Sequence, residues 1–111
     1  MIRPESSKLP AFVRDRLNDV EALCREQHVE RLDVFGSVTR DDFDASQSDL
    51  DFVVEFEPDA PRLGLKGPYF MMRKGLRTIF DRDIDLVEYE AVRNPYFKRE
   101  LDETRRRIYA K

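Results

Sequence analysis

Two short stretches of the chain carry residue types that could do chemistry. Gly36-Ser37 is a small-residue turn directly after the apolar run from Leu32 to Phe35. Asp49 and Asp51 stand at the start of a second apolar run, Phe52-Val53-Val54. In a strand, side chains at i and i+2 share a face. Asp49 and Asp51 therefore point together, and Leu50 and Phe52 point the opposite way. Two adjacent carboxylates repel, and one tends to keep its proton unless a cation sits between them. A divalent metal is the usual remedy, and magnesium takes a few protein carboxylates together with phosphate oxygens and water. The Gly-Ser turn suits the other half of such a site, because exposed backbone N–H groups at a turn attract phosphate. Arg40 could also reach a phosphate.

Periodicity supplies the elements that position these groups. Residues 1 to 8 read as a loose polar lead. Residues 9 to 28 read as a helix with the stripe Val13, Leu17, Val20 and Cys24, and Pro10 suits its first turn. A strand over 30 to 35 ends at Gly36. A short helical turn and a loop fill 37 to 48, and a second strand covers 50 to 56. Residues 68 to 80 form a second helix, with Tyr69, Met72, Leu76, Ile79 and Phe80 on one face and Gly75 weakening it. A third strand, 83 to 88, alternates and puts Asp83 and Asp85 on one side. Asn94-Pro95 is an N-cap and N1 pair that opens a final helix with the stripe Phe97, Leu101, Thr104 and Ile108. Arg105-Arg106-Arg107 then fall in its last turn, where cations complement the helix dipole on a solvated face. The fold class is α+β: a small mixed sheet of about three strands with about four helices.

Composition narrows the function. A chain of 111 residues suits a single domain over 1–111. With 41% apolar and 39% charged residues it builds a core beneath a charged surface. The net charge of −3 disfavours a broad nucleic-acid face, which would be basic, but a local phosphate site can oppose it. One cysteine, Cys24, forms no internal disulfide. No apolar run reaches membrane-spanning length, and the first residues lack the apolar core of a secretory signal. The expected location is the cytoplasm. His28, the single histidine, suits a surface or helix-capping role. Tyr69, Phe70, Met71, Tyr96 and Tyr109 are candidates for exposed apolar surface.

Gly36-Ser37, then Asp49-Leu50-Asp51, then a later acidic strand, resembles the nucleotidyltransferase superfamily with the DNA polymerase β-like fold. The form Phe-Gly-Ser-Val-x-Arg-Asp-Asp and the ending Asn-Pro-Tyr-Phe look like its minimal nucleotidyltransferase (MNT) branch. The resemblance covers roughly residues 10 to 110 and implies transfer of a nucleoside monophosphate from a nucleoside triphosphate, AMP from ATP, with Mg2+. It implies that Asp49 and Asp51 hold metal, with Asp85 as the third carboxylate and Asp83 competing for that role. Gly36, Ser37 and Arg40 are the implied nucleotide-binding residues. The implied partner is a HEPN-family toxin, with the chain as its antitoxin and a homo- or hetero-oligomer as the assembly. Three functions stay open: a transferase that modifies a protein hydroxyl, an antitoxin that acts by binding alone, and transfer to a small molecule. The plain alternative for Asp49 and Asp51 is a charged strand edge; for Ser37 it is a turn residue, and for Asp85 an outward strand residue.

Overall fold

Four strands make one mixed sheet in the computed structural model, which describes residues 9–39, 49–61 and 67–111. They are β1 (Val29–Phe35), β2 (Leu50–Phe56), β3 (Ile84–Glu88) and β4 (Arg106–Ala110), in the order β3-β2-β1-β4. β1 runs antiparallel to both β2 and β4, and β2 runs parallel to β3. Four α-helices accompany them among the described residues: α1 (Ala11–Arg14), α2 (Leu17–Glu26), α3 (Pro68–Phe80) and α4 (Pro95–Thr104). None of these helices is long and apolar enough to cross a membrane.

Strand alternation divides the interior into two layers. Leu32, Val34, Leu50, Phe52, Val54, Leu86 and Ile108 enter the larger core, against Val13, Val20 and Cys24 of the first two helices and Met72, Leu76 and Phe80 of α3. On the opposite face Phe35 and Val53 pack with Leu101 of α4, and Val87, Tyr89 and Phe97 close around them. α4 starts where Asn94 caps it: its Oδ1 accepts from the Tyr96 and Phe97 N–H groups at 2.9 and 3.2 Å, and Pro95 sits at the first helical position. α3 follows the same logic with Pro68 in its first turn. Its Gly75 has a packing reason: a Cβ there would lie 2.6 Å from Leu23 Cδ2, so glycine lets α2 and α3 approach.

Three sequence expectations are corrected. The first helix is broken into α1 and α2. The Arg16 N–H bonds back to the Val13 carbonyl, a tightened i→i−3 turn, before the α pattern resumes. Val13, Val20 and Cys24 still reach one core, so the stripe survives. Pro10 is the extended cap of α1 and not part of its first turn. The sheet has four strands, because the expected last helix stops at Thr104 and residues 106–110 pair with β1. Strand pairing satisfies the row of backbone N–H and C=O groups that β1 would otherwise leave at an open edge. Ile108 fits a helical stripe and a strand equally well; pairing decides. Tyr109 is buried by the same event.

The arginine run consequently leaves the solvated helix end assigned to it. Asp33, in the middle of β1, is 0% exposed. Arg31 grips its carboxylate with Nε and Nη2, at 2.9 Å to Oδ1 and 2.8 Å to Oδ2. Arg105, only 7% exposed, donates from Nε to Asp33 Oδ2 and from Nη2 to Glu55 Oε2 at 2.9 Å. Its guanidinium carbon lies 4.7 Å from the Tyr89 ring centroid. A buried carboxylate with charge-assisted bonds on both oxygens is tolerated; stripped of a partner it is costly. Arg105→Ala should therefore lower unfolding stability by about 3–5 kcal/mol in urea titrations. Arg99→Ala, on the exposed side of α4, should stay within about 0.5 kcal/mol.

The network extends to Tyr89, whose hydroxyl donates to Asp102 Oδ1 at 2.8 Å. That bond first, then burial and the carboxylate's charge, raises the phenol pKa above its usual 10.0. A raised phenol pKa stabilises the fold fully below the unfolded value and loses that stabilisation as pH rises through the folded one. Phenolate absorbance should show Tyr89 titrating above pH 10.0, and Asp102→Asn should bring it down.

Candidate active site

Strand register gathers the acidic residues. In the parallel ladder Asp51 pairs with Asp85 and Leu50 with Ile84, and the Leu50 N–H donates to the Asp83 carbonyl at 3.3 Å. Partners in a ladder present side chains to the same face. Leu50 and Phe52 are fully buried in the larger core, so the face opposite it holds Asp49 and Asp51 as expected. Asp49, Asp51, Asp83 and Asp85 all line one cleft of about 370 Å³, joined by Ile84 and by Arg73 and Arg77 of α3. Asp51 is half-buried and the other three are exposed. Asp83 is distinguished from Asp85 by its ion pair with Arg77 at 3.6 Å. Asp85 is the one directly beside Asp51.

The end of β1 lies against Asp51 of the cleft. Phe35 pairs with Asp51 across the antiparallel ladder, and the chain then turns at Gly36 with φ +73°. A Cβ on Gly36 would lie 2.5 Å from Asp51 Oδ2 and 3.4 Å from its carboxyl carbon. Glycine suits this position on two counts: it adopts the left-handed backbone without strain, and a side chain here would have to push the Asp51 carboxylate aside. Residues Gly36–Thr39 form one 3-10 turn, closed by the Thr39 hydroxyl donating to the Gly36 carbonyl at 2.6 Å and anchored by buried Val38. Ser37 stands in that turn. Arg40, together with Asp41 and Asp42, lies outside the described residues.

The structure thus brings together Gly36, Asp49, Asp51 and Asp85, with the backbone of Ser37 in the adjoining turn. Among the described residues no three carboxylate, histidine or cysteine side chains already converge as a ligand set. The backbone register fixes the shared face. The donor set itself, three or four carboxylates beside a turn with no side chain at Gly36, suits a hard cation such as magnesium. The sequence reading overlooked Arg73 and Arg77. Their i, i+4 spacing on the polar side of α3 was the available signal. Cys24 is buried in the core and His28 occupies a left-handed turn at φ 60°, so neither belongs to the cleft.

Comparison with known proteins agrees with this geometry. A family model described as a nucleotidyltransferase domain matches residues 19–108. Over 92 residues, the chain is 28% identical to a Methanocaldococcus jannaschii protein named "Putative protein adenylyltransferase", a match spanning 82% of this chain and 89% of that protein. A solved structure described as a "putative minimal nucleotidyltransferase" is 26% identical, with a TM-score of 0.65 over 86% of this chain and 91% of the other. A tri-AMPylated HEPN toxin in complex with MNT antitoxin, from Shewanella oneidensis, gives a TM-score of 0.61 at 16% identity, over 88% of this chain and 72% of that one; this likeness is one of fold. With its β-sheet, its glycine turn and its acidic strand ends in that arrangement, the chain belongs to the nucleotidyltransferase domain family.

Proposed function

We propose that this chain, read as one domain over residues 1–111, moves AMP from ATP to a hydroxyl of a partner protein. We further propose that it works in the cytoplasm as the antitoxin of a HEPN toxin. The observation that carries the reading is the position of Asp51, set between Gly36 of the turn and Asp85 of the neighbouring strand. The M. jannaschii relative and the AMPylated Shewanella complex support the choice of AMP and of a protein acceptor.

Asp49, Asp51 and Asp85 would hold magnesium, which when bound offsets the charge of the triphosphate and of the phosphorus undergoing attack. The Gly36-Ser37 turn offers backbone N–H groups to the phosphates, and Arg40 is assigned to the same task. Asp85 accepts the proton of the acceptor hydroxyl. The acceptor oxygen then bonds to the α-phosphorus as the bond to the bridging oxygen breaks, and pyrophosphate leaves. Such transfers rely on positioning and charge stabilisation more than on covalent help from the protein.

The test is incubation with magnesium, α-phosphate-labelled ATP and lysate of the source cells. Label should pass to a discrete protein, and Asp49→Ala/Asp51→Ala should lower transfer by more than about 100-fold, beyond what loss of an outer-layer group costs. ATP binding without transfer would leave an antitoxin that acts by contact alone. Gly36→Ala should cost about 1–2 kcal/mol for its left-handed backbone. By pushing the Asp51 carboxylate aside it should also cut transfer about 100-fold. Urea titration and the labelling rate check the two effects separately.

A further inference from the structure

The carboxylate cleft continues into a larger groove of about 1000 Å³ along the outward face of α3. The two share Arg73, Arg77 and Asp83. Beyond the shared residues, Lys74 and Arg82 add two more cations and Asp81 one more carboxylate. The groove therefore carries a net charge of about +2, by formal charges, on a chain whose net charge is −3. Its wall also holds Phe70 and Met71, each 38% exposed although both are large and apolar.

That mixture discriminates among occupants. A phosphate chain needs the cations but has no use for Phe70 and Met71. A nucleic acid needs a basic surface extending along its backbone, and this chain is acidic overall. Protein interfaces are enriched in aromatic residues, methionine and arginine together. The carboxylates of the cleft would repel an acidic protein, and the cations of α3 offset that repulsion along this approach.

We propose that the groove receives an acidic, partly apolar segment of the acceptor protein and so presents the neighbouring hydroxyl to the cleft. The inference deepens the transferase reading and rests on it for the identity of the occupant as acceptor. Contact with Phe70 and Met71 supplies apolar burial. Arg73, Lys74 and Arg77 supply steering and orientation, which weaken as salt rises.

The probe is a fluorescein-labelled peptide with one tyrosine flanked by alternating glutamate and leucine, titrated with the full chain and read by anisotropy. The expected result is salt-sensitive binding whose Kd rises at least about tenfold in Phe70→Ala/Lys74→Glu, the order of effect typical when a contact residue and a steering charge are lost together. Both positions are exposed, so the variant should keep the wild-type circular dichroism and bind Mg-ATP. Lys74→Glu alone, checked the same way, should give part of the effect. Absent binding, equal binding by the variants, or tighter binding of a lysine-for-glutamate peptide or of oligothymidylate would overturn the proposal. Full displacement by ATP would do so too, by making the groove a triphosphate seat. The same peptide with labelled ATP separates the two readings. Transfer undiminished in the double variant sinks the groove and leaves the transferase. Peptide binding that depends on Lys74, with no transfer to peptide or lysate protein, sinks the transferase and leaves an acidic-segment docking surface.

Discussion

The register of β2 is the constraint on which the rest depends. Leu50, Phe52 and Val54 are fully buried in the larger core. Moving any of them to the other face would forfeit roughly 1.5–3 kcal/mol per side chain. A slip of one residue would invert the whole strand and drive Asp49 and Asp51 into that core. The hydrophobic residues thus fix, through period-two alternation, where the carboxylates must point. β3 is locked to the same register by its parallel ladder, which sets Asp85 beside Asp51. The site's acidic face is a by-product of core packing on the opposite face.

That acidic face is not uniform along the strands. Asp49, Asp51 and Asp85 gather at one end, with Phe35 level with Asp51. Asp33, level with Val53, and Glu55, level with Arg31, form a second group that Arg31 and Arg105 meet. α4, through Leu101, covers the apolar Phe35 and Val53 interleaved with them. The two groups of carboxylates have opposite fates for a physical reason. Asp33 is buried, so its charge must be met permanently by intramolecular cations. Asp49 and Asp85 open to solvent, where water can carry their charge until a ligand arrives. Arg105 also joins the end of α4 to the sheet, holding in place the helix that covers the apolar patch.

Much of this was legible in the chain. β2 and α3 coincide with the residues their periodicity predicts, Leu50–Phe56 and Pro68–Phe80. Asn94-Pro95 opens α4 as such a pair should. The shared face of Asp49 and Asp51 needed only alternation. What misled was the last segment, because Leu101, Thr104 and Ile108 keep helical spacing although the chain turns to strand after Thr104. Local periodicity cannot see the unpaired edge of β1 that captures those residues. Asp33 left a weak trace, a carboxylate within an apolar strand two residues from Arg31, but Arg105 lies 72 positions away and nothing local joins them. Gly75 is a weak point by helix propensity alone, but Leu23 of α2 occupies the space of its missing side chain.

By itself the sequence determined which residues alternate, where α3 and α4 start, and that a glycine turn and paired carboxylates flank two strands. These are local properties, set by backbone sterics and by the spacing of apolar side chains. Tertiary structure alone decided that Asp85 stands opposite Asp51 and that Gly36 abuts the Asp51 carboxylate. It alone brought Arg73 and Arg77 to the cleft and turned Arg105 inward to neutralise Asp33. Each of those is a contact between segments distant in the chain, and its free energy exists only once the strands have paired and the intervening chain's entropy has been lost.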